Sequence, residues 1–162
     1  MTIVSTTQDA EALTFTIVAA LAAPPSRVWQ IWSDPRQLER WWGPPTWPAT
    51  FEEHDVVVGG ASAYYMTGPD GEKARGWWRF LTLDEPRSLE FEDGFADDSG
   101  VPNNDLPTTR ARVDLEETAA GTRMTVTSRF ATAEDMQQMV KMGMVEGVSL
   151  AMGQIDEMLA AA

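Results

Sequence analysis

The fold is decided by residues 25–42, which read PSRVWQIWSDPRQLERWW. The proline–serine start opens a first helix, because proline is favoured in the first turn. Asp34 opens a second helix: its side chain can cap free backbone N–H groups, Pro35 fits the first helical position, and Gln37 can complete a capping box. A Gly-Pro-Pro sequence at residues 43–45 ends this helix. The segment therefore predicts two short helices in succession.

The residues on either side of this segment alternate between apolar and polar, which predicts β-strands. One strand precedes the helices at residues 13–18, LTFTIV. Six more are predicted at residues 50–57, 61–67, 75–83, 88–95, 108–116 and 122–130. Short turns rich in glycine, proline and aspartate join the later strands, so we expect them to form an antiparallel meander.

Residues 133–160 contain no proline and are rich in Met, Ala, Gln and Glu, which predicts one long final helix with Thr132 as its N-cap. Two glycines in the middle of its apolar stripe each cost about 1 kcal/mol relative to alanine. Small residues at these positions indicate either close backbone packing or a hollow between the helix and the sheet. The stripe consists of Met136, Val140, Gly143, Gly147, Leu150, Ala151, Gln154 and Met158.

The composition excludes several classes of protein. The chain has 162 residues, no cysteine, one histidine and a formal net charge of −13. It therefore lacks the residues that form disulfides, thiolate zinc sites and multi-histidine metal sites. We expect neither a metal nor a cofactor. A strong negative charge also disfavours nucleic acid and anionic membranes as partners.

The length and the absence of a linker predict one domain, residues 1–162, with a core at about residues 13–160. Residues 1–13 have no basic residue and no apolar stretch of the length found in secretion signals. The sequence has no run of about 18 apolar residues, which is the length that a membrane-spanning helix requires. We therefore expect a cytoplasmic protein.

Four motifs carry a resemblance to a known family: PSRVWQIWSDP followed by WWGP at 41–44, DVVVGG at 55–60, YMTGPDG at 65–71 and KMGMVEGV at 141–148. Together they resemble the SRPBCC, or START-like, superfamily. More narrowly, they resemble the bacterial single-domain homologues of the activator of the 90-kDa heat-shock-protein (Hsp) ATPase. The resemblance extends from Leu13 to Leu159. The chain departs from the pattern at Val57 and Val58, where the family has Arg and Pro, and at Val148, where it has Trp.

This resemblance implies an α+β helix-grip fold. A curved antiparallel sheet of about six or seven strands would wrap around a long C-terminal helix, with two short helices after the first strand. It also implies a deep apolar cavity between sheet and helix that holds a hydrophobic small molecule. The family has no universal catalytic residues, so the resemblance assigns none to this chain.

The candidate cavity residues come from strand alternation and from the stripe of the final helix. Trp77 and Trp78 are adjacent on one strand, so they must point to opposite faces. Gln154 lies in the apolar stripe and needs a hydrogen-bond partner if buried, either inside a cavity, at its mouth or at a strand end. The predicted ligand-binding residues are Trp78, Phe80, Tyr65, Phe91, Met136, Val140, Gly143, Gly147, Ala151 and Gln154.

The seven tryptophans divide into two groups. Four belong to the two-helix signature and are interpreted as structural: Trp29, Trp32, Trp41 and Trp42. The other three, Trp47, Trp77 and Trp78, are candidates for contact with a ligand or a partner. Exposed aromatic residues also suit an interface between two copies of the chain, so a homodimer is a further candidate assembly.

Three functions follow as hypotheses. The first is binding, sequestration or transport of a hydrophobic or aromatic small molecule without turnover. The second is an enzyme, such as a cyclase, hydrolase or dehydratase, acting on a lipophilic substrate; it requires a titratable group in the cavity, for which Glu53, His54, Tyr65 and Arg110 are candidates. The third is a module that activates a chaperone ATPase.

One acidic stretch invites a different interpretation, a calcium site. Its spacing does not fit a calcium-binding loop, so we interpret it as a solvated surface loop. The stretch consists of Asp93, Asp97, Asp98, Asn103, Asn104 and Asp105.

Overall fold

In the computed structural model, which describes residues 3–160, eight β-strands form one antiparallel sheet. The strands are β1 (Ile3–Asp9), β2 (Thr14–Leu21), β3 (Ala49–His54), β4 (Ala61–Thr67), β5 (Lys73–Asp84), β6 (Ser88–Ala96), β7 (Thr109–Thr118) and β8 (Gly121–Phe130). Their order across the sheet is β1-β2-β8-β7-β6-β5-β4-β3. The strands β3 to β8 are the predicted meander, and β2 pairs with β8.

The number of strands differs from the predicted six or seven because β1 carries almost no apolar signal. It reads IVSTTQD, and all of its residues except the half-buried Ile3 are exposed. A strand at the edge of a sheet can be polar on both faces, since only one of its edges is paired. The two short helices consequently follow the second strand, and not the first.

The two short helices are α1 (Pro25–Ser33) and α2 (Pro35–Leu38). The predicted cap is confirmed, since the Asp34 side chain accepts a hydrogen bond from the Arg36 backbone N–H at 3.0 Å. The Gln37 side-chain amide donates to the other carboxylate oxygen of Asp34 at 2.9 Å. The second helix is shorter than predicted, and hydrogen-bonded turns continue the chain to Trp42.

The C-terminal helix is broken, and not continuous as predicted. It consists of α3 (Ala133–Lys141), α4 (Met144–Met152) and α5 (Ile155–Ala160). The Thr132 hydroxyl caps α3 by accepting from the Asp135 backbone N–H at 3.1 Å, as predicted. Gly143 has a φ of 88°, a left-handed conformation that ends a helix and that residues with a side chain avoid. The helical stripe therefore changes direction at this glycine.

The core lies between one face of the sheet and the helices. In β2 the alternation is clear, because Phe15, Ile17, Ala19 and Leu21 are buried while most of the residues between them are only half-buried. Apolar residues of α1 and of the C-terminal segments complete the same core. Within residues 3–160, every helix is too short or too polar to traverse a lipid bilayer.

Candidate ligand cavity

A cavity of about 360 Å³ lies between the inner face of the sheet and the segments α3 and α4. Most of its lining is apolar, and aromatic and methionine side chains supply the largest share. The lining residues of the sheet side include Tyr64, Met66, Phe91, Asp93, Phe95, Thr109, Ala111, Val126 and Ser128. The cavity therefore occupies the position at which the sequence predicts a ligand.

Tryptophans form much of the cavity wall. Trp32 belongs to α1, while Trp41, Trp42 and Trp47 follow α2. The rings of Trp32 and Trp41 meet edge to face, with centroids 4.7 Å apart. The Nε1–H of Trp41 donates to a backbone carbonyl of α1 at 3.0 Å, and that of Trp32 lies 3.4 Å from a methionine sulfur. These contacts fix the orientation of both rings.

The opposite wall comes from α3, α4 and the two residues that join them. It is lined by Met139, Met142, Met144 and Met152, whose flexible and polarisable side chains adapt to irregular shapes. A Cβ added at Gly147 would have no atom of the described residues within 4 Å, apart from those of its own stretch of helix. Of the two predicted explanations for the small residues, the hollow is therefore the one that the structure has at this position.

One carboxyl group lies in this apolar cavity. Asp93 is on β6, and its neighbours on the adjacent strands are Trp78 on β5 and Thr109 on β7. The Tyr64 hydroxyl donates a hydrogen bond to Oδ1 of Asp93 at 3.2 Å. In the part of the chain that the structure describes, no Lys, Arg or His side chain forms an ion pair with this carboxyl.

The surroundings of this pair disfavour negative charge. Burial raises the pKa of the Asp93 carboxyl from 3.8 to about 7, although the hydrogen bond from Tyr64 and the backbone N–H of Gly94 both favour the charged form. Burial, and then the nearby Asp93 charge, raise the pKa of the Tyr64 hydroxyl well above its usual value of 10.0. Asp93 is thus the cavity group that changes its charge near neutral pH.

Two indole N–H groups lie beside this pair without a hydrogen-bond partner among residues 3–160. They belong to Trp42 and Trp78, and both nitrogens are buried. Each is close enough to the Tyr64 hydroxyl to lower the pKa of that group, although the geometry falls short of a hydrogen bond. Asp93 and Tyr64 at the cavity wall, with these two indole N–H groups beside them, thus form a small polar cluster, here called the Asp93 cluster.

The structure brings four of the ten predicted ligand-binding residues to the cavity wall. These are Phe91, Gly143, Gly147 and Ala151. It places the other six elsewhere: Trp78, Phe80, Tyr65, Met136, Val140 and Gln154.

Packing explains the positions of these six. Trp78 is on the inner face but stacks on Phe91 at 3.9 Å between centroids, so Phe91 and not Trp78 lines the wall. Phe80 is also buried beside Phe91, and Tyr65 is on the outer face below Lys73. Met136 and Val140 border a shallow surface groove near β1. The Gln154 amide donates to the backbone carbonyl of Gly43 at 2.8 Å and ties the helix to the loop after α2.

The tryptophans also divide differently from the prediction. Trp32, Trp41 and Trp42, which the signature marked as structural, line the cavity together with Trp47. Trp77 lies on the outer face, where its Nε1–H donates to the carbonyl of Phe95 at 3.1 Å. The two-helix signature therefore supplies cavity wall as well as core.

The His54 ring packs against aromatic residues of the core. A bulge in β3 between Phe51 and Glu53 shifts the alternation, so that the His54 ring meets Phe51 on the inner face. Its Nε2–H donates to the carbonyl of Trp32 at 2.8 Å, and its Nδ1 therefore accepts from the Ser62 hydroxyl at 2.7 Å. Burial lowers the pKa of His54, which keeps the ring neutral. This residue joins α1 to the sheet.

None of the four titratable residues named as candidates under the enzyme hypothesis lies at the cavity wall described here. Glu53 and Arg110 are exposed, and Tyr65 is on the outer face. The interpretation of the acidic stretch as a solvated surface loop is wrong for Asp93, because this residue belongs to β6 and lies at the cavity wall. The alternation of Leu89, Phe91 and Asp93 was the signal that could have identified it, since all three share one face. Among residues 3–160, no group of three His, Asp or Glu side chains could hold a metal ion.

The chain matches a known protein family over most of its length. The sequence model of the family described as "Activator of Hsp90 ATPase homolog 1-like protein" matches residues 22–160. A comparison with curated proteins found no match.

Solved structures extend this likeness to the whole chain. A solution structure of a protein from Arthrobacter aurescens has 58% sequence identity and a TM-score of 0.95, over 99% of this chain and 94% of the other. A crystal structure of a protein from Mycobacterium smegmatis has 48% identity and a TM-score of 0.91, over 99% and 98%. The AHSA1 protein from Silicibacter pomeroyi shares the fold, with a TM-score of 0.73 at 19% identity over 91% and 98%.

Proposed function

This chain belongs to the family of activator of Hsp90 ATPase homolog 1-like proteins, and from that membership and its cavity we propose that it binds a hydrophobic or aromatic small molecule. The ligand lies between the sheet and the segments α3 and α4. The observation that carries the proposal is a cavity of about 360 Å³ with a mainly apolar lining. Pockets for small molecules have volumes of about 300–1,000 Å³ and are lined in the same way.

Apolar burial supplies the affinity in this proposal. A ligand that buries about 200 Å² of apolar surface gains about 5 kcal/mol at about 25 cal/mol per Å². Loss of translational and rotational freedom offsets part of this gain. The methionines of α3 and α4 let the cavity accept more than one shape, and the Asp93 cluster supplies the polar contact that orients the ligand.

The test combines ligand screening with a variant that fills the cavity. Gly147 lines the cavity and a Cβ added there meets open space, so we expect the ring of Gly147→Phe to occupy the cavity without displacing the backbone. A lipophilic ligand at 100 times its dissociation constant should add about 2.7 kcal/mol to the free energy of unfolding of the wild-type protein. Gly147→Ala is the matched control, because it removes the same glycine and leaves the cavity open.

We expect thermal shift and native mass spectrometry to detect the ligand with the wild-type protein and Gly147→Ala, and not with Gly147→Phe. If no lipophilic compound stabilises the wild-type protein, the proposal is wrong. Equal stabilisation of Gly147→Phe would place the ligand at another site.

Asp93 favours a second candidate function, an enzyme that acts on a lipophilic substrate. A group whose pKa is about 7 suits proton transfer at neutral pH, and this one lies at the cavity wall. Mass spectrometry of a bound lipophilic compound after prolonged incubation separates the two functions. Recovery of the unaltered compound supports binding alone, whereas a product that Asp93→Asn fails to form supports the enzyme.

A further inference from the structure

The Asp93 cluster places hydrogen-bond donors around a carboxyl group that lacks a positive partner among residues 3–160. The Tyr64 hydroxyl donates to the Asp93 carboxyl, and the unpaired indole N–H groups of Trp42 and Trp78 lie near the Tyr64 hydroxyl. Within residues 3–160, no cationic side chain completes the cluster with an ion pair.

A buried carboxylate without a counter-ion is costly, because its desolvation is not repaid by an opposite charge. The cavity reaches this carboxyl, since Asp93 and Tyr64 both belong to its wall. A ligand that brings a positive charge into the cavity would supply the missing partner. A neutral ligand would leave the carboxylate unpaired or would require it to take up a proton.

The rest of the wall suits the same kind of ligand. The faces of aromatic rings attract organic cations, and tryptophan attracts them more strongly than tyrosine or phenylalanine. The cavity that Asp93 lines is also lined by four tryptophans: Trp32, Trp41, Trp42 and Trp47. The net charge of −13 also raises the local concentration of cations around the molecule.

We propose that the cavity selects a lipophilic organic cation, an ammonium ion on an aromatic or alkyl body, whose charge pairs with Asp93. The apolar body lies against the tryptophans and the methionines of α3 and α4. This inference rests on the proposed function, since it requires that the cavity binds a ligand. It adds the chemical class of that ligand.

The test compares two probes of the same shape. Benzyltrimethylammonium carries a permanent positive charge, and neopentylbenzene is its neutral carbon counterpart. Because the charge of the first probe does not change with pH, the measurement isolates the charge of the protein. Calorimetry at about pH 8, above the pKa of Asp93 and at low salt, gives the affinity of each probe for the wild-type protein, Asp93→Asn and Asp105→Asn. Asp105 is an exposed carboxylate and serves as the control.

We expect the wild-type protein to bind the ammonium ion more tightly than neopentylbenzene. Asp93→Asn should weaken binding of the ammonium ion about tenfold or more and leave the affinity for neopentylbenzene within about twofold. Asp105→Asn should change neither affinity.

Equal or tighter binding of neopentylbenzene by the wild-type protein would overturn this inference and would support the proposed function. Retention of ammonium binding by Asp93→Asn would also overturn it. Failure of both probes to bind the wild-type protein would overturn it as well, while the lipophile screen with Gly147→Phe would then decide the proposed function separately.

Discussion

The Asp93 carboxyl has a pKa of about 7 in the folded protein, against an ordinary value of 3.8, because burial penalises its charged form. The folded protein therefore holds this proton more tightly than the unfolded chain does. The resulting stabilisation is complete below about pH 4 and is lost as the pH rises through about 7. Above that pH the folded protein contains an ionised carboxylate at the wall of an apolar cavity.

We predict that Asp93→Asn removes this dependence. At about pH 8 the variant should be more stable than the wild-type protein by roughly 1–3 kcal/mol, since the amide carries no charge to bury. At about pH 4, close to the ordinary pKa of 3.8, the two proteins should have similar free energies of unfolding. Urea denaturation at both pH values measures the difference. Asp105→Asn should show no comparable change, and an equal effect of Asp93→Asn at both pH values would contradict the prediction.

Single residues also show why the candidate site was predicted only in part. Phe91 could be placed on the inner face by its alternation with Leu89, and it lines the cavity. His54 could not be placed, because the bulge in β3 reverses the alternation and no residue type announces a bulge. Trp78 faces inward as one of two adjacent tryptophans must, but the ring of Phe91 lies between it and the cavity.

Among the helices and strands, capping residues and turn residues in the sequence correctly predicted several ends of elements. The Asp34 and Thr132 caps act as their sequences indicate, since a short polar side chain before a helix has few other roles. The strand β4 has the predicted bounds, Ala61–Thr67. The break at Gly143 was missed because a glycine inside an amphipathic stripe is compatible with a continuous helix as well as with a helix end.

Gly143 and Gly147 should respond to alanine in opposite directions. Gly143→Ala places a side chain in a left-handed conformation and should lower the free energy of unfolding by about 1 kcal/mol. Gly147→Ala is inside α4, meets open space and should raise it by up to about 1 kcal/mol through helix propensity. Urea denaturation of the two variants, each compared with the wild-type protein, checks the pair. A shift of the same sign in both would show that the two glycines do not differ in role.

For the whole molecule, the order of elements predicted the architecture, because a meander followed by an amphipathic helix has few ways to bury both apolar faces. The outermost strand β1 was the exception. Its side chains are largely exposed, so its contribution is the backbone pairing that covers the edge of β2. An apolar cavity between the sheet and the C-terminal segments was predicted. Its lining residues were predicted only in part, because they depend on how the loop after α2 folds over the sheet.

Removal of residues 1–9 should therefore affect assembly more than folding. Without β1, the apolar strand β2, which reads TFTIVAAL, presents unpaired backbone groups to other molecules. We expect the shortened chain to remain folded but to form larger species than the full chain in sedimentation velocity experiments. Ser5→Lys, which changes an exposed side chain of β1 and keeps the strand, is the control. A shortened chain with the same sedimentation behaviour as the full chain would contradict this role of β1.

The arrangement of the tryptophans has an optical consequence. The ring centroids of Trp32, Trp41 and Trp42 are between 4.7 and 6.2 Å apart, and all three rings line the cavity. Chromophores this close exchange excitation energy, so their emission depends on whatever lies beside any one of them. A light-absorbing molecule in the cavity would quench several indoles at once. The protein therefore carries an intrinsic fluorescent reporter at the place where a ligand would bind.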